Sequence, residues 1–248
     1  METSIFAHRG ASKLAPENTM AAFTLAQKMG ADGIETDVQL TKDHVPILIH
    51  DETLHRTTDG TGYVKDYTYE QLTKLDAGKW FNEKYTGERL LSLEEFLKWI
   101  SNTSLSLNIE LKNNIIDYKD IEKEVLALIK HYGVAERTII SSFNPKSIKR
   151  FKRLSKEIEC ACLTSRRPKD LQSLIEETKA NALHINYNAL NRGLIKEAKR
   201  LHLPVRTYTI NRPSRLMRSY KLEVDGIFTD VPHSAIEYRE LYLHKHKP

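Results

Sequence analysis

The residues with the most reactive side chains come early. His8-Arg9-Gly10, Glu35-Thr36-Asp37 and His50-Asp51 place imidazoles, a guanidinium and carboxylates near the start of a 248-residue chain. Cutting a phosphate ester calls for these residue types. Carboxylate oxygens can hold a metal ion, a cation can meet the phosphoryl oxygens, and two further groups can move protons. Glu110 and Lys112 repeat the pairing of acid and base further along.

These groups act together only if the fold brings them to one place. Short β-rich runs alternate with amphipathic helical patterns almost to the end of the chain. Strands are expected at residues 4–8, 33–40, 106–111, 138–143, 159–163, 182–187, 205–210 and 226–229. Helices are expected at 18–29, 93–100, 118–132, 145–154, 168–178, 191–201, 213–220 and 232–244. A further extended run, 44–49 around Pro46, reads as a hairpin continuation of the second strand. Such alternation implies parallel βαβ units, and eight of them fit a closed (β/α)8 TIM barrel. An open doubly wound sheet usually carries a Gly-rich phosphate loop after its first strand, and none follows residue 8. Residues 51–90 break the pattern with Gly60, Gly62, Gly78, Gly87, Trp80 and four tyrosines. A structureless loop of that length is improbable in a compact domain. The segment is therefore expected to be a small subdomain, inserted after the second strand and capping the barrel mouth. The whole chain, 1–248, reads as one domain.

Active sites of such barrels lie at the C-terminal ends of the strands. His8 and Arg9 end the first strand. Glu35 and Asp37, two apart, share one face of the second. His50 ends the run after it, and Glu110 and Lys112 end the third. Three acids from neighbouring strands can surround a hard divalent ion such as Mg²⁺ or Ca²⁺. No Cys/His cluster has the spacing of a zinc site. Taken singly, each residue has a plainer reading: His8 in the core, Lys112 paired with Glu110, Arg9 on a backbone carbonyl. It is their shared position at one end of adjacent strands that favours a site. His131, His202, His244 and His246 fall on helices and are expected to be solvated.

Apolar residues make up 40% of the chain, ample for a core, and the net charge is 38 − 33 = +5. That mild positive balance suits anionic ligands. The Lys and Arg residues are dispersed, which argues against a dedicated nucleic-acid binder. The first residues lead straight into a strand with no secretory leader pattern, and no apolar run approaches a membrane span. Cys160 and Cys162 are too close in sequence for a comfortable disulfide and read as reduced, apolar strand residues. A cytoplasmic setting without membrane insertion is expected.

The motifs also occur in a familiar order. His8-Arg9-Gly10 and Pro16-Glu17-Asn18-Thr19 are followed by Gly33-Ile34-Glu35-Thr36-Asp37-Val38, His50-Asp51 and Arg56-Thr57-Thr58-Asp59-Gly60-Thr61-Gly62. Then come Asn108-Ile109-Glu110-Leu111-Lys112, Ser141-Ser142-Phe143-Asn144-Pro145, Tyr208-Thr209-Ile210-Asn211 and Asp225-Gly226-Ile227-Phe228-Thr229-Asp230-Val231-Pro232. Each is weak alone, but the ordered set resembles the glycerophosphodiester phosphodiesterase family along essentially the whole chain. The resemblance implies a (β/α)8 barrel with an insertion after the second strand. It implies hydrolysis of small diesters such as glycerophosphocholine or glycerophosphoethanolamine to glycerol 3-phosphate and an alcohol. It assigns Glu35, Asp37 and Glu110 to one divalent cation (Mg²⁺, Ca²⁺ or Mn²⁺), His8 and His50 to proton transfer, and Arg9 and Lys112 to the phosphate. Tyr208 stands where similar sequences often carry Trp. It and Phe143 are the candidate wall for the glycerol or head group, Phe143 being equally suited to core packing. Glu17 reads equally as a helix N-terminal acid or as a link to the site. Two alternatives use the same barrel: a lysophospholipid-directed phosphodiesterase and a non-catalytic barrel that binds phosphorylated ligands.

Overall fold

A computed structural model describes residues 2–245. Nine strands form one sheet: β1 (Ser4–His8), β2 (Gly33–Leu40), β3 (Pro46–Leu48), β4 (Ser106–Leu111), β5 (Thr138–Ser142), β6 (Glu159–Thr164), β7 (Ala182–Asn186), β8 (Val205–Tyr208) and β9 (Gly226–Thr229). All neighbours pair in parallel except β3, which folds back antiparallel on β2. β1 pairs with both β9 and β2, so the eight parallel strands close into a barrel. Helices α1 (Met20–Lys28) and α3 to α9 (Leu93–Ile100, Ile121–His131, Pro145–Leu154, Leu171–Thr178, Arg192–Arg200, Pro213–Lys221 and Pro232–Lys245) connect or close the strands. This is the (β/α)8 architecture.

Local chemistry sets the boundaries. Ser92 and Glu95 form a capping box that starts α3. Asn144 caps α5, with Pro145 at the first helical position, where a missing N–H does no harm. Apolar side chains of the strands and helices then fill the shell between the layers, for example Phe23 of α1 against Phe96 of α3 at 4.5 Å. Inside the barrel the apolar packing is small, with Phe6, Ile139, Ala161, Ala182 and Phe228 as its core.

The structure corrects several expected boundaries. α1 starts at Met20 rather than 18, because Asn18 adopts a left-handed φ of 57° and Thr19 caps the helix. α4 starts at Ile121, after Asp120 at φ 65°. β8 ends at Tyr208 and α6 begins at Leu171, capped by Asp170. His202 sits in the turn after α7, exposed, at φ 51°. His131 and His244 lie on helices and are exposed, whereas His246 is outside the described residues. Cys160 and Cys162 are buried free thiols, and burial pushes Cys160 up to about 12. No helix among the described residues is long and apolar enough to cross a membrane.

Residues 51–90 carry short pieces: two 3₁₀ turns and α2 (Tyr69–Leu72), which starts in a Thr68/Gln71 capping box. Leu54, Val64, Leu72, Ala77 and Leu90 form an apolar cluster with Ile47 and Ile49 of the hairpin. The Tyr85 hydroxyl donates to the Leu14 carbonyl at 2.7 Å, tying the segment to the β1–α1 loop.

Candidate active site

The strand register does most of the positioning. Glu35 lies opposite His8, and Asp37 lies opposite Glu110. Just past β1 the chain turns sharply: Arg9 takes φ 57° and Gly10 φ 83°. A Cβ on Gly10 would stand 2.6 Å from the backbone carbon of Ala22, so only glycine lets the loop lie on α1. The turn aims the Arg9 N–H at Glu35 Oε2, 2.9 Å away.

Each histidine is held by an aspartate. His8 Nδ1 lies 2.7 Å from Asp230 Oδ1, just past β9, and His50 Nδ1 lies 2.6 Å from Asp51 Oδ1. Burial pushes Asp230 up, but contacts with His8, Asn211 and Ser12 prevail and bring it down to about 2. Burial likewise opposes ionisation of Asp51, and Arg56 and His50 outweigh it, again reaching about 2. Both aspartates are therefore ionised acceptors at neutral pH. Each Nδ1 carries a proton, and Nε2 is the nitrogen left to exchange one. His8 Nε2 is 4.0 Å from Glu35 Oε2.

The carboxylates of Glu35, Asp37 and Glu110 each offer an oxygen within 4.8 Å of the others. Burial, then mutual repulsion, raises Glu35. Burial also raises Glu110, with Lys112 opposing. Asp37 resists its own burial because Arg9, His50 and Lys112 hold it well below the usual range. Its Oδ1 is buried and accepts no hydrogen bond, while Asn18 donates to Oδ2 at 3.1 Å. Three converging acids with an unsatisfied inner oxygen fit a hard divalent cation.

Arg9 and Lys112 stand in the same cleft but already have carboxylate partners. Arg9 Nη1 donates to Glu17 at 2.9 Å, and Nε lies 3.0 Å from Asp37 Oδ2, off the hydrogen-bond axis. Lys112 Nζ donates to Glu110 at 2.9 Å and is 3.9 Å from Asp37. Glu17 also accepts two hydrogen bonds from Arg56, which pairs with Asp51 in turn. The charges thus alternate without a break from Asp37 through Arg9, Glu17 and Arg56 to Asp51, which holds the His50 ring. Phe143 and Tyr208 meet edge to face at 6.0 Å, and the Tyr208 hydroxyl donates to the Thr164 carbonyl. All the candidates but Asp37 and Glu35 line one cleft of about 400 Å³; Glu35 borders a smaller cavity of about 30 Å³ beneath it.

The aspartates behind the histidines and the Glu17–Arg56 bridge were not assigned from sequence. Asp51 had a signal, its adjacency to His50. Asp230 had one too, its place at the end of the last strand. The Asp230 shift has a stability consequence. Its folded value lies below the ordinary carboxylate value, so its contribution is present above about pH 4 and lost as pH falls through about 2. Asp230→Asn should lose about 2 kcal/mol at pH 7, and the two stability curves should converge near pH 2. Urea titrations across this range measure it; parallel curves would contradict the assignment.

The comparisons with known proteins follow the same line. The model of the glycerophosphoryl diester phosphodiesterase family matches residues 8–234. A glycerophosphodiester phosphodiesterase of Caldanaerobacter subterraneus is 42% identical over 236 residues, covering 95% of this chain and 97% of that one. One from Bacillus altitudinis is 42% identical over 243 residues, covering 96% and 98%. The structure of an Oleispira antarctica phosphodiesterase in complex with the product sn-glycerol-3-phosphate superposes with a TM-score of 0.89 at 31% identity, over 96% of this chain and 97% of that one. A glycerophosphodiester phosphodiesterase from Agrobacterium tumefaciens gives 0.83 at 31% identity, over 95% and 99%. This chain belongs to the glycerophosphoryl diester phosphodiesterase family and is an enzyme of that class, a phosphoric diester hydrolase.

Proposed function

We propose that the enzyme hydrolyses soluble glycerophosphodiesters, such as glycerophosphoethanolamine and glycerophosphocholine, to glycerol 3-phosphate and the free alcohol, with one divalent cation held by Glu35, Asp37 and Glu110. The observation that carries this reading is the meeting of two aspartate-held imidazoles with a buried acid trio at one barrel mouth. The cation, when bound, supplies positive charge that polarises a phosphoryl oxygen. Arg9 and Lys112 add charge where negative charge spreads in the transition state. His8 Nε2 takes the proton of the attacking group, which is water or the 2-hydroxyl of the substrate's own glycerol; in the second case a cyclic phosphate forms and water then opens it to glycerol 3-phosphate. His50 returns a proton to the leaving alcohol. Asp230 and Asp51 steady the two rings and stabilise their protonated forms. Phe143 and Tyr208 border the bound diester. The insertion, 51–90, shapes the mouth through Arg56 and Tyr85. The buried free thiols suit a reducing, cytoplasmic setting.

A coupled assay for glycerol 3-phosphate over a panel of diesters tests the reading. Release from the soluble diesters is expected, at higher kcat/KM than from a lysophospholipid. No release from any diester would refute it, and faster cleavage of the lysophospholipid would move the substrate class.

A further inference from the structure

The outer wall of the cleft has a lining that the reaction above leaves unused. Tyr187 lies in the short turn after β7, and Arg215 lies on α8. Both border the same cleft as His8, His50 and Lys112. The Arg215 guanidinium lies 4.6 Å from the centre of the Tyr187 ring, and that of Arg218 lies 5.1 Å from it. Arg218 is engaged further, donating to the Leu190 carbonyl at 2.9 Å. Arg215 differs: among the described residues its guanidinium meets neither a carboxylate nor a hydrogen-bond acceptor. An uncompensated cation thus stands half-buried on the wall of a substrate cleft.

Two of the three aromatic rings lining the cleft, Tyr187 and Phe143, point the same way; the third, Tyr208, meets Phe143 edge to face. A quaternary ammonium is held by open ring faces. Here Tyr187 already meets two guanidinium groups, and the Phe143 ring has Lys112 Nζ at 6.0 Å. A cationic head group on this wall would meet like charge. A carboxylate or phosphate would meet a guanidinium, whose planar fork suits either oxyanion. The reaction proposed above puts the constant phosphate among His8, Glu110 and Lys112, and the cavity of about 30 Å³ beneath them has room for little more than a water molecule. The variable head group is left to the wider outer wall.

We propose that Arg215, braced on Tyr187, is a specificity-determining residue that favours glycerophosphodiesters whose leaving alcohol carries an additional anion, a carboxylate or a second phosphate. This rests on the reaction proposed above. Two matched pairs test it, each differing by one anionic group. Glycerophosphoserine against glycerophosphoethanolamine isolates the carboxylate, and glycerophosphoglycerol bearing a terminal phosphate against glycerophosphoglycerol isolates the phosphate.

The wild-type enzyme should favour the more anionic member of at least one pair by about tenfold in kcat/KM. In Arg215→Gln that ratio should fall towards one. Most of the change should appear in KM, since the contact is made equally in the ground and transition states. Arg215→Lys should keep part of the preference, and Arg215→Glu should invert it. Each ratio is internal to one preparation, so a change in the amount of folded enzyme cancels. Wild-type ratios near one in both pairs, or a ratio that survives in Arg215→Gln, would overturn the assignment while leaving the reaction standing. Hydrolysis of none of the four diesters would overturn the reaction itself, and the assignment with it.

Discussion

Replacing His8 or His50 by alanine is expected to lower kcat for glycerophosphoethanolamine by about 10²–10⁴-fold, the usual worth of a general acid or base. The surroundings make this a test of chemistry rather than of folding. Asp230 without His8 still accepts from Asn211 and Ser12. Asp51 without His50 keeps both of its contacts with Arg56. Neither truncation strands a buried charge, so the variants should unfold within a few degrees of wild type. The double variant should lose less than the product of the two single losses, because groups serving one displacement are not additive. Turnover within a few-fold of wild type in either single variant would remove that histidine from the mechanism.

Chelation should abolish turnover altogether, and Mg²⁺, Ca²⁺ or Mn²⁺ should restore it. Undiminished turnover in excess chelator would refute metal dependence. A second readout needs no substrate. A ligand that binds only the folded chain stabilises it by about 2.7 kcal/mol at a hundredfold excess over its dissociation constant. A divalent ion should therefore raise the melting temperature of wild type but not of Asp37→Asn, which loses a charge at the centre of the trio. The pH dependence has a definite sign. Burial and repulsion raise Glu35 and Glu110 in the metal-free protein, so protons compete for them as the solution is acidified. The stabilisation by metal should shrink with falling pH. Thermal shifts at several pH values, with and without the ion, would show it, and a shift that grew on acidification would exclude these ligands.

Much of the barrel was legible because its strands obey simple rules. β2 is buried along its whole length, and its run from Gly33 to Leu40 was read to the residue, as were β4 and β9. The spacing of two between Glu35 and Asp37 was enough to put both carboxylates on one face. Helix starts were harder. Asn18 and Asp120 take left-handed conformations that extend no periodicity, so the helical pattern seemed to begin before its cap. The segment 51–90 offered no period because its one α-helix is four residues long, and its order comes from caps and a small cluster. Least legible were the contacts between loops. Asp230 reaches His8 across 222 positions and Arg56 reaches Glu17 across 39; only the place of Asp230 at the end of the last strand hints at the first, and no local pattern signals the second.

The unbroken run of alternating charges from Asp37 to Asp51, with His50 at its end, bears on how this enzyme can be recombined. Its members come from the β1–α1 loop, from β2 and from the segment after β3, so no single cassette contains them all. Exchanging residues 51–90 for those of a relative would change the partner of Glu17 and, through it, the setting of Arg9 beside Asp37. A graft that keeps Arg56 and Asp51 together with the host's Glu17 preserves the electrostatic continuity. One that imports a new mouth without them leaves the acid trio and the second imidazole to be balanced separately.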